Sequence, residues 1–132
     1  MFDREKECFT LAELIVVILV IATLVSLAIP NYLKGTERTK NKEAKAMLRL
    51  MAAAEEVYRL ENGFFVGCSD TSQCNTLLDL RLSEKNWAYQ ATAPTSDSFS
   101  ATATRQGSDS RVWTITSSDE DNPACSGGKY CE

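Results

Sequence analysis

The sequence predicts an α+β fold in which one long N-terminal helix packs on a small antiparallel sheet of about three to four strands with disulfide-stapled loops. Three observations predict it. An apolar run is followed by a stretch with helical spacing, short alternating segments come later, and cysteines flank those segments. Helical patterns followed by strand patterns are typical of α+β domains, in which helices cover one face of the sheet.

The apolar run begins at Phe9 and holds nothing more polar than Thr23 and Ser26 once Glu13 is passed. A helix rises about 1.5 Å per residue, so residues 9–30 just span a hydrocarbon core of about 30 Å. We therefore predict a transmembrane helix over residues 9–30. A cleaved secretory signal is the alternative, but the weakly basic leader and the poor cleavage site after the run speak against it.

The helical signal resumes after Pro30 and continues through residues 31–62. Its apolar residues recur at positions i, i+3, i+4 and i+7: Ala44, Met47, Leu48, Met51, Ala54 and Tyr58. The opposite face is expected to be polar and to carry Lys45, Arg49, Glu56 and Arg59. Pro30 removes one backbone hydrogen bond, so we expect a hinge inside a continuing helix. Gly63 supplies the stop signal.

The rest of the chain predicts the sheet and its connections. Residues 63–86 read as an irregular connecting loop with one helical turn at 76–82. Alternating segments at 87–93, 98–105 and 111–117 predict three antiparallel strands, so the sheet covers residues 87–117 and the amphipathic half of the helix covers one of its faces. The tail, residues 118–132, has no periodicity and is expected to be held only by its cysteines.

Five cysteines constrain the soluble part of the chain. Cys68, Cys74, Cys125 and Cys131 lie behind the apolar run, where they predict disulfides formed in an oxidising compartment. Four cysteines allow three connectivities, and we favour the two local pairs, Cys68 with Cys74 and Cys125 with Cys131. A zinc site built from these four thiolates is a weaker alternative. Neither pair has the C-x-x-C spacing of redox enzymes.

Composition lowers the expectation of catalysis or metal binding. The chain has no histidine, so it lacks the commonest general base and the commonest metal ligand. We predict no enzyme activity, no cofactor and no metal, although the acidic residues 119–122 could bind calcium instead of forming a solvated turn. Residues 34–49 are basic and the chain after residue 63 is acidic, which argues against a nucleic-acid-binding head.

Glu13 is the unusual residue of the apolar run. A carboxylate inside hydrocarbon costs about 2.5 to 3.5 kcal/mol. It could reach the headgroups at the membrane edge, or it could wait for a cationic partner that another chain supplies. The sequence pattern alone leaves both possibilities open.

The stretch FTLAELIVVILVIATLVSLAIPNY, residues 9–32, resembles the class III signal and N-terminal helix of type IV pilins and pseudopilins. The resemblance implies that a prepilin peptidase removes residues 1–8 by cutting between Cys8 and Phe9 and methylates the Phe9 amine. It also implies that Glu13 pairs with that amine on a neighbouring subunit. Cys8 stands where the family usually has glycine. In the family a C-terminal disulfide bounds the variable region, and Cys125 with Cys131 would fill that part.

The resemblance further implies a structural subunit with a pilin-like head over residues 31–132. It would sit in the inner membrane with its N-terminus in the cytoplasm. An assembly platform and its ATPase would then add it to a helical homopolymer at the cell surface. The basic residues 34–49 by themselves predict the opposite orientation, but disulfides in the head favour the family's arrangement. The alternatives are a type II secretion pseudopilin, a membrane-tethered periplasmic binding module and a thiol-active periplasmic enzyme.

Overall fold

A computed structural model describes residues 8–131, and residues 1–7 of the predicted leader lie outside the described part. Two helices precede four strands, so the predicted α+β class is confirmed. The elements are α1 (Leu11–Asn62), α2 (Thr71–Leu77), β1 (Trp87–Thr95), β2 (Ser98–Arg105), β3 (Val112–Thr116) and β4 (Asp119–Ser126).

Helix α1 continues through Pro30, as predicted, and ends at the asparagine before Gly63, whose φ of 87° suits glycine. The chain divides into two compact units between Thr36 and Glu37. The helix contains an 18-residue window with a mean hydropathy of 2.8 that is not buried. It is therefore long and apolar enough to cross a membrane.

The hydroxyl groups of Thr23 and Ser26, in the apolar half of α1, form hydrogen bonds within the helix. Thr23 Oγ1 donates to the Val20 carbonyl at 2.8 Å, and Ser26 Oγ donates to the Thr23 carbonyl at 2.8 Å. Hydroxyls bonded to their own backbone present no unsatisfied polar group to lipid. The segment can thus face hydrocarbon along its length.

The second unit is built on an antiparallel sheet in the order β1-β2-β3-β4, which is a simple meander. Tyr89 lies opposite Ala103, and Ala103 lies opposite Trp113. Alternate residues of three strands point into the core: Trp87, Tyr89, Ala91, Phe99, Ala101, Ala103, Trp113 and Ile115. Ala44, Leu48, Met51 and Ala52 of α1 belong to the same core. Trp87 Nε1 also donates to the Lys40 carbonyl at 3.0 Å, which satisfies the indole.

The tail differs from its prediction, because residues 119–126 form strand β4 and do not depend on cysteines alone. Backbone pairing sets Trp113 opposite Cys125 and Thr114 opposite Ala124. The strand is mostly exposed and lies at the sheet edge. Edge strands that bury neither face need no apolar alternation, so the pattern gave no signal. Asp119, Asp121 and Pro123 discourage pairing of this edge with another strand.

The connecting loop also differs, because α2 starts and ends earlier than the predicted turn at 76–82. Its N-cap is Asp70, whose side chain accepts from the Gln73 amide. Gln73 in return accepts from the Ser69 amide at 2.7 Å. Reciprocal bonds of this kind stabilise the start of a helix. The sequence SDTSQ, residues 69–73, contains the residues that form them.

The outward face of α1 was predicted wrongly. The exposed residues of this face are uncharged and apolar, namely Ala46, Leu50, Ala53, Val57 and Leu60. Lys45, Glu56 and Arg59, which were expected to form the exposed face, are half-buried at its borders, and Arg49 alone of that group is exposed. Long polar side chains lie along the helix flanks and leave the centre of the face apolar.

Candidate functional site

Helix α1 begins with a reciprocal pair of side chains that involves the candidate assembly residue. The Thr10 amide and Thr10 Oγ1 each donate to Glu13 Oε2 at 3.0 Å. The Glu13 amide donates to Thr10 Oγ1 at 3.2 Å. This is a capping box, in which two side chains satisfy amides that the first helical turn leaves unbonded. Glu13 therefore has a structural partner within its own chain.

The predicted cleavage-site residues lie just before this box. Cys8 is exposed and is not part of a disulfide. Phe9 is 78 % exposed and precedes the first helical residue by two positions. The peptide bond between Cys8 and Phe9 therefore lies in an exposed, non-helical part of the chain. The predicted hinge residue Pro30 lies inside α1, far from this bond.

The other four cysteines form two disulfides in the second unit. Cys68 bonds to Cys74 and Cys125 bonds to Cys131. These are the two local pairs that the spacing favoured, and they occupy the thiolates that a zinc site would need. Cys68 also bridges the outer edge of β1, since its amide and carbonyl both bond to Ala91 at 2.9 Å. Within residues 8–131 no group of three or more His, Cys, Asp or Glu side chains is arranged to hold a metal ion.

Arg111 is the centre of a buried polar cluster that joins α1, the β2–β3 connection and the C-terminal loop. Its side chain is fully buried and forms ion pairs with Glu37 and with Asp109, the latter at 2.6 Å. Arg111 Nη1 also donates to Asn41 Oδ1 at 2.7 Å. Asn41 Nδ2 in turn donates to the Tyr130 carbonyl at 2.7 Å. The cluster thereby ties the chain end to the helix.

Gly128 makes room for this cluster. Its φ of 72° is a left-handed conformation that glycine adopts without strain. A Cβ at this position would collide with the Arg111 Cγ and the Asp109 carboxylate. Backbone of the disulfide loop can therefore lie directly against the buried guanidinium only where this residue is glycine.

Electrostatics keep Glu37 ionised in this cluster. Burial by itself raises the pKa of Glu37, but hydrogen bonds from Lys40 and Arg111 outweigh it, so the pKa lies below its usual value. Lys40 Nζ lies 2.9 Å from Glu37 Oε1, and Arg105 Nη2 lies 3.6 Å from the same oxygen. A buried guanidinium requires such carboxylate partners, because an uncompensated buried charge is strongly destabilising.

Three basic residues of α1, Arg38, Lys42 and Lys45, form a row along one flank of the helix. Arg38, Lys42 and Lys45 recur at helical spacing and, with Asn41, line a cavity of 360 Å³. Lys45 Nζ lies 4.3 Å from the centre of the Trp113 ring, and Lys129 Nζ lies 5.8 Å from the Tyr130 ring. Three cations of α1 thus line one cavity of the head.

Comparison with known proteins decides the family. Residues 30–125 match the family model described as type IV minor pilin ComP, DNA uptake sequence receptor. The chain belongs to the type IV pilin family. Type IV wide pilus major component PilA4 of Thermus thermophilus is 28% identical over 119 residues, which is 89% of this pilin and 86% of that protein.

Two further relatives match a shorter part of the pilin. Type IV major pilin protein PilA of Myxococcus xanthus is 37% identical over 57 residues, 43% of this chain and 26% of that protein. Type II secretion system core protein G of Pseudomonas aeruginosa is 32% identical over 59 residues, 45% of this chain and 42% of that protein. The pilin therefore matches less than half the length of these two relatives. No solved structure matches it.

The matched relatives support a type IV pilin or type II secretion pseudopilin subunit. The sequence identified Glu13 as a candidate assembly residue. Its partner Thr10 was missed, although TLAE, residues 10–13, fits the capping-box pattern. It also missed the Arg111 cluster. No local pattern signals that cluster, because Glu37 and Arg111 are far apart in sequence.

We expect Glu37→Gln to lower the free energy of unfolding of the head by about 3 kcal/mol, because buried Arg111 loses one of its two carboxylate partners. Urea unfolding of the full chain in detergent measures this. Asp97→Asn is the control, since the Arg59–Asp97 pair is largely exposed and its loss costs less than about 1 kcal/mol.

The free energy of unfolding that Glu37→Gln removes also depends on pH. Because the folded-state pKa of Glu37 is lowered, its ion pairs stabilise the head fully above its unfolded pKa, and this is lost as pH falls through the folded value. The difference between the parent chain and Glu37→Gln is therefore large at pH 7 and small near pH 2. An equal difference at both pH values would contradict the assignment.

Proposed function

We propose that this pilin is the structural subunit of a type IV pilus-like filament that polymerises through α1. The observation that carries the proposal is the exposed apolar start of this helix with a single carboxylate in its first turn. Leu11, Leu27 and Tyr32 are each more than 70 % exposed. Lipid can cover it before assembly, and neighbouring helices can cover it afterwards.

Processing would create the cation that Glu13 needs. Cleavage between Cys8 and Phe9 by prepilin peptidase releases the leader, residues 1–8, and leaves an amine on Phe9, which the same enzyme methylates. The exposed, non-helical backbone at this bond supports access by a peptidase. Cys8 replaces the usual glycine with another small residue, and a secondary amine formed by methylation still carries the positive charge.

Glu13 would then set the register of each added subunit. Apolar helices slide past one another at little cost, whereas opposite charges in a dry core attract strongly and an unpaired charge is penalised. Both bonds from Thr10 use Glu13 Oε2. An incoming amine can therefore meet Oε1 without opening the capping box.

The remaining steps of the proposal follow from the location of the helix. The pilin would wait in the inner membrane as a single-pass protein with its N-terminus in the cytoplasm and its disulfide-bonded head in the periplasm. A platform protein and its ATPase would extract it into the filament. Pro30, which cannot donate a backbone hydrogen bond, is the proposed hinge at which the helix adjusts during packing.

Two substitutions separate the charge of Glu13 from its capping role. Glu13→Gln keeps an oxygen that accepts from Thr10, since Gln also completes a capping box, but it removes the charge. Thr10→Val removes both bonds of the Thr10 hydroxyl, which breaks the reciprocal box, and keeps the charge. We expect Glu13→Gln to reduce sheared filaments by at least about tenfold, because an amine then enters the core unpaired, while Thr10→Val keeps most of the filament yield.

Filament yield is measured by immunoblot of sheared and membrane fractions, with equal total pilin in both strains as the control. The charge-pair proposal fails if Glu13→Gln assembles as well as the parent chain. It also fails if Thr10→Val is the more damaging change, because the structural cap would then be the essential role.

A second candidate function is binding of DNA, which the description of the matching family names. The basic row of Arg38, Lys42 and Lys45 along one flank of α1 favours it. The charge distribution along the sequence, basic at residues 34–49 and acidic after residue 63, predicted no nucleic-acid-binding head. Helical spacing gathers the three cations on one side, where they could contact successive phosphates.

We expect Lys42→Gln with Lys45→Gln to lower the affinity of the full chain for duplex DNA and to reduce the slope of log affinity against log salt by about 2. Arg81→Gln with Lys85→Gln is the matched control, since both residues are exposed cations of the connecting loop. Fluorescence anisotropy with a labelled duplex measures both. Equal slopes for the two double variants would contradict a DNA role for the row.

A further inference from the structure

The basic row of α1 lies beside a cavity that is lined mainly by cations. Arg38, Lys42, Lys45 and Arg49 follow one another at steps of four, three and four residues. This spacing keeps them on one face of a helix. The first three of them line a cavity of 360 Å³ together with the buried Asn41. The four lining residues thus bring three positive charges and no carboxylate to this cavity.

Two carboxylates of the same helical stretch, Glu37 and Glu43, are held by other groups. Glu37 forms ion pairs with Lys40, at 2.9 Å, and with buried Arg111. Glu43 Oε2 accepts from Asn86 Nδ2 at 2.8 Å. Because the partners of both carboxylates lie outside the basic row, the row keeps its positive charge and suits an anion.

The sign of the charge reverses further along the same flank of α1. Glu56 follows Arg49 by seven residues, which is about two helical turns. Burial and a hydrogen bond with Glu56 raise the pKa of Glu120, and the negative charge of Asp121 raises it further. A long polyanion that followed the flank would therefore meet acidic residues. A small anionic group that binds at the basic end alone would avoid them.

The basic row follows closely on the segment that is proposed to span the membrane. Arg38 comes eight residues after Pro30, with Lys34 between them. Eight residues reach at most about 29 Å even when fully extended. Lipid headgroups are therefore within reach of the row whenever the apolar segment is inserted, and this tether raises their effective concentration. Clusters of basic residues beside a transmembrane helix are typical of contacts with anionic lipids.

We infer that the basic row binds the phosphate group of an anionic phospholipid, such as phosphatidylglycerol, while the pilin is in the membrane. The inference rests on the proposed membrane insertion and adds a ligand to it. Lys42 and Lys45 supply ammonium groups, which form strong, charge-assisted hydrogen bonds with phosphate. Lys45 Nζ also lies 4.3 Å from the centre of the Trp113 ring, a cation–π contact that holds this side chain beside the cavity.

The lipid contact also gives these cations a role in the proposed orientation. Basic residues beside a transmembrane segment ordinarily favour the cytoplasmic side, whereas the disulfide-bonded head is proposed to lie in the periplasm. Anionic headgroups of the periplasmic leaflet would offset the charge of the row on that side of the membrane.

Native mass spectrometry of the full chain in a non-ionic detergent tests the inference. Phosphatidylglycerol and phosphatidylcholine with the same acyl chains are titrated separately, so that contacts of the acyl chains with α1 cancel in the comparison. We expect phosphatidylglycerol to bind at least about 25-fold more tightly, since each lysine beside an anionic lipid changes the affinity by about fivefold. Lys42→Gln with Lys45→Gln should remove most of this preference and leave the affinity for phosphatidylcholine unchanged.

Two controls separate the lipid site from general attraction of anions. Arg81→Gln with Lys85→Gln removes the same charge from exposed residues of the connecting loop and should keep the preference. Inorganic phosphate, or duplex DNA at an equal concentration of phosphate groups, is added to the complex with phosphatidylglycerol. We expect the lipid to remain bound in both cases.

The inference is overturned if the parent chain binds the two lipids equally, or if both double variants lose the preference to the same extent. Displacement of the lipid by inorganic phosphate would show a site for free anions, and displacement by the duplex would show a DNA site. Either result also overturns the inference. Failure of the proposed membrane insertion is measured separately, as recovery of the chain from cells without detergent, and failure of the filament proposal is measured with Glu13→Gln.

Discussion

The exposed apolar surface at the start of α1 is the constraint on which the rest of the structure depends. Bulky apolar side chains from Phe9 to Leu33 are exposed in the described part of the chain. Such a surface is stable only in lipid or among other apolar helices. The one carboxylate in this surface, Glu13, and the internally bonded hydroxyls of Thr23 and Ser26 fit both environments. The proposed membrane storage and the proposed polymerisation would be two ways of covering the same surface.

The proposed assembly requires a head that remains folded while the helix changes its surroundings. Covalent and ionic links add to the small core of this head. One disulfide closes the loop next to β1, and the other closes the chain end next to β4. Between them, the Arg111 cluster connects the helix with the C-terminal loop. Glu55 adds a further buried contact, since its carboxylate accepts from the Val66 amide at 2.9 Å and burial raises its pKa. Small domains commonly need such additions to a limited core.

Local patterns predicted the parts of this fold that are set by periodicity. The long helix, the first three strands and the two short-range cysteine pairs all follow from spacing along the chain. Strand β4 was missed because an exposed edge strand has no apolar alternation. Arg111 and Asn41 were missed because their burial depends on partners from distant segments. The apolar outward face of α1 was missed because helical spacing alone suggested charged residues at the centre of a face that they only border.

The mass of the assembled subunit tests the central claim most directly. Fibres are sheared from cells and the intact mass of their subunit is measured. The proposed mechanism predicts a chain that begins at Phe9, carries one added methyl group and retains both disulfides. A subunit that is found only in membranes and only with residues 1–8 still attached would contradict the claim that this chain polymerises through its processed N-terminal helix.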